Sequence, residues 1–193
     1  MTVQGLTLVL LGVLVLAVLG LWLSWTANRL DRLHHRIDVA REALRVQLLR
    51  RSGAALELAA SDALDPASGL VLLDAAHGAR NADLTGLEPA ESVLSEALRA
   101  VLADPGTVRG MRCDQALSPL VDELANTCAR VELARRFHND VVVTARALRS
   151  RRRVRWLRLA GRAPSPRTVD LDDVQPPALD ASVTGCPAEP RET

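Results

Sequence analysis

The chain has 193 residues, enough for one domain of ordinary size once an anchor and a tail are set aside. Its formal net charge of +1 removes any whole-chain electrostatic case for nucleic acid or acidic substrates, so such a case must come from local clustering. It has no Lys, no Tyr and a single Ile, Ile37; this reads as a G/C-rich coding sequence, and abundant Arg is therefore not in itself a sign of anion recognition.

From Leu6 to Trp25 only Thr7, Gly12, Gly20 and Ser24 are small or weakly polar, and the first charged side chain is Arg29. A run of ~20 residues is what a helix needs to cross ~30 Å of hydrocarbon. The backbone finds no water there, so a helix is the only single-segment solution. Leu6, Val9, Leu14, Leu19, Trp22 and Trp25 are accordingly expected on a transmembrane helix, the two indoles at its interface end. A cleaved signal peptide is the rival. It wants a basic n-region, a shorter apolar core and an A-x-A-like site, and the chain shows none of these. Arg29, Arg32, Arg36, Arg41 and Arg45 follow the span and no basic side chain precedes it, which predicts an outward N-terminus and a cytoplasmic domain.

Beyond the span the helix need not stop. Leu30, Leu33, Ile37, Ala40, Leu44 and Leu48 recur at three- and four-residue steps, predicting one amphipathic helix to about Ala60. Asp65-Pro66 is a cap followed by a first-turn Pro, and a short helix to Asn81 carries Leu70, Leu73 and His77 on or near its apolar side. A third helix is expected from Pro89 to Leu102, with Val93, Leu94, Ala97, Val101 and Leu102 inward, ended by Asp104-Pro105-Gly106. A fourth runs from Ser118-Pro119 to about Arg152, with Leu117, Leu120, Leu124, Cys128, Val131, Ala134, His138, Val142 and Ala145 in one arc. The first and last helices are near ~50 Å each at the 1.5 Å rise. The fold class is all-α: one N-terminal transmembrane helix, then an antiparallel bundle with long first and last helices. Residues 1–28 form the anchor, 29–162 the bundle and 163–193 a tail. That tail holds six of the ten prolines, is acidic, and is expected to be disordered. Cys113, Cys128 and Cys186 have no CxxC spacing and read as free thiols in a reducing compartment.

Two stretches carry a resemblance. Leu33 to Arg51, LHHRIDVAREALRVQLLRR, and Asp122 to Val142, DELANTCARVELARRFHNDVV, resemble the first- and last-helix patterns of the LemA family of bacterial membrane proteins. Val46, Gln47, Leu48, Arg50 and Arg51 match in the first. Glu123, Leu124, Thr127, Arg130, Ala134, Arg135 and Asn139 match in the second, and His138 stands where that family has Tyr. The resemblance implies a membrane-anchored antiparallel helical bundle and no particular reaction.

His34 and His35 diverge by ~100° on a helix and make no metal site. His138-Asn139-Asp140 has no nucleophile nominated beside it, so His138 reads as a buried polar residue. Glu123 is expected to pair with Arg50 or Arg51, and Arg135 with Asp38 or Glu42, as half-buried pairs that fix register. Arg146 to Arg162 is rich in Arg and free of acid, with Trp156 interleaved. Arg151, Arg152, Arg153, Arg155, Trp156 and Arg158 are candidates for contact with an anionic leaflet, the other readings being a solvated helix end and nucleic acid. No phosphate loop, triad or metal spacing is visible. The expectation is a non-enzymatic membrane-tethered scaffold or adaptor without cofactor, whose partners are the bilayer and other proteins. Nucleic acid is not expected, and self-association is left open. The alternative is a sensor domain that binds a small ligand between helices, beside Arg135 and His138.

Overall fold

The computed structural model describes residues 3–83, 85–149 and 166–180. Among the described residues all regular structure is helical: α1 Val3–Ala59, α2 Pro66–Asn81, α3 Leu87–Val101, α4 Pro105–Cys113, α5 Ser118–Arg149 and a short 3-10 turn, Pro177–Leu179. The chain divides into two compact units. Met1–Val39 with Asp140–Thr168 form the first, and Ala40–Asn139 with Val169–Thr193 the second.

In the first unit Ile37, Val142 and Ala145 pack together with Val141 against them. Every Val and Leu from Val9 to Leu21 is exposed. Among the described residues no helix is long and apolar enough to cross a membrane. The side chains described without interruption there run from Val9 to Trp22, a length of about 21 Å at the α-helical rise.

The second unit has a core of small and medium side chains. Ala54, Ala55 and Leu58 of α1 meet Leu72, Ala75, Ala76 and Ala79 of α2, Leu94, Ala97 and Leu98 of α3, Val108 and Met111 of α4, and Val121, Leu124 and Cys128 of α5. Alanine at so many of these positions lets the helix axes come close. A second cluster joins Leu44 and Leu48 to Val131 and Leu171. Asp65 caps α2 by accepting from the Ala67 and Ser68 N–H groups, with Pro66 at the first helical position.

Several expectations are corrected here. Asp104-Pro105 ends α3, but it also starts α4. Asp104 accepts from the Gly106 and Thr107 N–H groups as Asp65 does for α2, so the same cap-then-Pro signal opens a helix where a stop was expected. Leu70, Val93 and His77 are exposed, and His77 Nδ1 lies 3.0 Å from the Leu73 carbonyl instead of facing the core. Cys113 is disulfide-bonded, against the expectation of three free thiols, while Cys128 is free and buried.

The largest correction concerns the tail. Residues 166–180 are packed, with Leu171, Asp173, Ala178 and Leu179 buried. Leu171 and Asp173 are two apart in a stretch without regular structure, and both are buried while Asp170 and Val174 are exposed, an alternation like that of a strand. A helical period was the wrong template for this segment. Its prolines also limit the backbone freedom that docking removes.

Candidate functional site

The chemistry-bearing residues of the second unit gather where the extended strap, residues 169–179, lies over α3 and α5. Beneath it is a buried ion pair. Arg51 on α1 follows Leu44 and Leu48 along the inward stripe, and Glu91 on α3 shares its face with Leu94 and Leu98. Arg51 Nη2 lies 2.6 Å from Glu91 Oε2, with side chains only 2% and 1% exposed. Arg51 Nη1 also donates to Ser95 Oγ at 3.0 Å and Nη2 to the Glu91 carbonyl at 3.2 Å. Arg51 Nε is buried with no hydrogen-bond partner among the described residues. Burial pushes the Glu91 carboxyl above its usual range, and the adjacent Arg51 charge offsets this only in part.

Above that pair, side chains take both backbone polar groups of two strap residues. The Asn139 amide grips Val169 on both sides: Nδ2 donates to the Val169 carbonyl at 3.0 Å, and the Val169 N–H donates to Oδ1 at 2.9 Å. Ser92 and Ser95, one turn apart on α3, do the same for Asp172. The Asp172 N–H donates to Ser92 Oγ at 3.1 Å, and Ser95 Oγ donates to the Asp172 carbonyl at 2.6 Å. These contacts replace the hydrogen bonds that a neighbouring strand would supply.

Two arginines then read the acidic side chains. Arg135 Nε and Nη2 contact the two Asp173 carboxylate oxygens at 2.6 and 2.9 Å, a bidentate fork. Arg99 Nη2 lies 2.5 Å from Asp172 Oδ2, and its Nη1 donates to the Val174 carbonyl at 3.2 Å. The hydrogen bond from Arg99 holds Asp172 below the usual carboxylate range. The hydrogen bond with Asp173 holds the Arg135 guanidinium more firmly protonated still. Further on, Arg112 Nη2 donates to the Leu179 carbonyl at 2.7 Å, and Leu179 is buried with Val108 and Met111.

The residues singled out by sequence fall unevenly on this site. Arg51 is central, but its partner is Glu91. Glu123 and Arg50 are both exposed, and among the described residues Glu123 is not paired with Arg50 or Arg51. Arg135 meets Asp173 of the strap, not Asp38 or Glu42. His138 is buried as expected. Val9, Leu14, Leu19 and Trp25 are exposed and Trp22 is half-buried. The Leu6 side chain lies outside the described residues, as do Arg151, Arg152, Arg153, Arg155, Trp156 and Arg158.

Glu91, Ser92, Ser95, Arg99, Asp172 and Asp173 were missed. A signal existed for two of them: Glu91 and Ser95 sit on the apolar face of α3, at helical spacing from Leu94, Leu98 and Leu102. Among the described residues no group of three or more His, Cys, Asp or Glu could hold a metal ion. The arrangement holds an acidic stretch of the same chain through its backbone and its two carboxylates. Neither a protein-family model, a curated protein nor a solved structure matches the chain.

Proposed function

We propose that this is a single-pass membrane protein whose helical domain is a non-enzymatic scaffold or adaptor for other proteins. One observation carries the proposal. No charged side chain occurs before Arg29, and that stretch belongs to a helix that continues to Ala59 with all its Val and Leu side chains from Val9 to Leu21 exposed. So large a contiguous apolar surface marks an interaction with lipid or protein. The sequence on both sides of 9–22 is uncharged, and residues 6–25 together reach bilayer length at about 30 Å.

The basic flank from Arg29 to Arg45 favours a cytoplasmic domain. The disulfide at Cys113 weighs the other way, since such bonds are rare in a reducing cytoplasm. On the cytoplasmic reading, proteinase K added to spheroplasts leaves the domain intact and digests it only after lysis. Digestion before lysis would place the domain outside. The likeness of residues 33–51 and 122–142 to the LemA family agrees with the same architecture.

The Arg-rich stretch after α5 supplies a second, electrostatic attachment to an anionic leaflet in this reading, each Arg near the surface contributing ~1 kcal/mol. Changing Arg151, Arg152, Arg153 and Arg155 to Gln and measuring binding of residues 29–193 to anionic liposomes tests it; unchanged binding counts against it. The sensor alternative requires a small ligand to displace Asp173 from the Arg135 guanidinium.

A further inference from the structure

We infer that the groove between α3 and α5 is a docking site for an extended acidic segment of a partner protein, and that residues 169–173 of this chain are its built-in competitor. The inference rests on the scaffold reading and names the partner's chemistry.

Three features separate this contact from ordinary packing. First, the groove reads backbone. Asn139 takes both polar groups of Val169, and Ser92 with Ser95 take both polar groups of Asp172. Contacts of that kind accept any extended chain, whatever its side chains. Specificity comes from one apolar seat, where Leu171 meets Leu44, Leu48 and Val131, and from two cationic positions, Arg99 and Arg135. The cognate segment is therefore extended, with a Leu-sized residue followed by two acids.

Second, the groove is built to be vacated. Ser95 Oγ lies 2.6 Å from the Asp172 carbonyl but also 3.1 Å from the Glu91 carbonyl of its own helix, so a departing strap leaves its proton a second acceptor. Ser92 Oγ already donates to the Glu88 carbonyl at 2.9 Å. Arg99 and Arg135 keep 30% and 23% of their side chains exposed, so water can take over from the carboxylates. None of these groups is stranded in an apolar interior when the strap leaves.

Third, the charged groups are divided by depth. The Arg51–Glu91 pair lies beneath the groove and ties α1 to α3 without any strap side chain. The floor therefore keeps its own ion pair when the strap is exchanged.

The test uses the full chain in detergent micelles and a fluorescein-labelled peptide of residues 166–180 as the probe. In wild type the attached strap occupies the groove and the probe binds weakly. In the chain carrying Asp172→Ala and Asp173→Ala the probe binds at least ten-fold more tightly. A probe with both acids changed to Asn loses that gain, and so does adding Asn139→Ala to the loosened chain. The inference is overturned if the loosened chain keeps its helix content yet ignores the probe, or takes the Asn probe equally well. It is also overturned if the loosened chains dimerise by exchanging straps instead of taking the probe, which would assign the groove to a second copy.

Should the loosened chain lose helix content, hydrogen exchange of wild type decides. Amides of Val169 and Asp172 exchanging at least a hundred-fold faster than those of Leu94 to Leu98 support a detachable strap. Equal rates mean that it leaves only on global unfolding, which overturns the inference. A chain that binds the probe but does not partition to membranes keeps the groove and loses the scaffold reading. A membrane-bound chain that refuses the probe does the reverse.

Discussion

Replacing either member of the Arg51–Glu91 pair gives the sharpest test of how the second unit is held together. Both side chains are almost fully withdrawn from water, and the Arg51 guanidinium is incompletely hydrogen-bonded. Removing one partner strands the other charge, an effect of about 3–5 kcal/mol for buried pairs. At about 1.4 kcal/mol per factor of ten, even the lower figure shifts the folding equilibrium more than a hundred-fold.

The two single variants should differ in pH dependence. Arg51→Met leaves Glu91, whose carboxyl burial already raises, free to protonate. Between the ordinary Glu value and that raised value the folded chain binds more proton than the unfolded one. Stability of this variant therefore falls as pH rises through the window and is recovered on acidification. Glu91→Gln leaves a guanidinium that stays charged at every accessible pH, so its deficit is flat over the same window. The double variant Arg51→Met with Glu91→Leu exchanges the pair for apolar packing, and should lie within about 1 kcal/mol of wild type. Urea titration of the full chain in micelles, followed by far-UV circular dichroism, reads all three. A double variant as unstable as the sum of the singles would refute the reasoning, because the pair would then be no isolated charge problem.

Further outcomes follow from the same structure. Burial pushes the Cys128 thiol up to about 11, so a maleimide should label it only at the rate of unfolding, and labelling within seconds in native buffer would contradict its placement. Leu171→Ala should cost about 2 kcal/mol, the low end for a buried Leu because a strap can settle into the space, measured as a shift of the urea midpoint. The Asp172 carboxyl is held below its ordinary value, so its contribution is full above the ordinary Asp range and lost as pH falls through the lower folded value. Strap amides should accordingly lose hydrogen-exchange protection in acid before those of α3. Asp104→Ala removes the cap that starts α4 and should lower the melting temperature, whereas the same change at exposed Asp62 should leave it unmoved.

The helices were legible wherever apolar residues recur at the helical period. The α5 stripe from Leu124 through Val142 is buried or half-buried at each position named from the sequence, and Ile37, Ala40, Leu44 and Leu48 of α1 are buried likewise. Amphipathicity was less informative for α2, where Leu70 and Val71 are apolar and exposed, because an apolar residue need not face inward. The strap was invisible for a different reason. Its contacts to α3 and α5 join residues 30 to 80 positions apart and depend on side chains reading backbone, which leaves no periodic trace. The partners of Arg51 and Arg135 were misassigned on the same account. The expected partners lay on the first and last helices, whereas the carboxylates come from α3 and from the tail. What could have been seen was Glu91 on an apolar face, since a buried carboxylate requires a cation or a proton.

Extraction of native membranes with alkaline carbonate addresses the central claim most directly. The account predicts that the full-length chain stays in the pellet, and that replacing Leu11, Leu14 and Val18 with Arg releases it to the supernatant while the strap contacts persist. Wild-type protein recovered in the supernatant would contradict the anchor and, with it, the scaffold at the membrane.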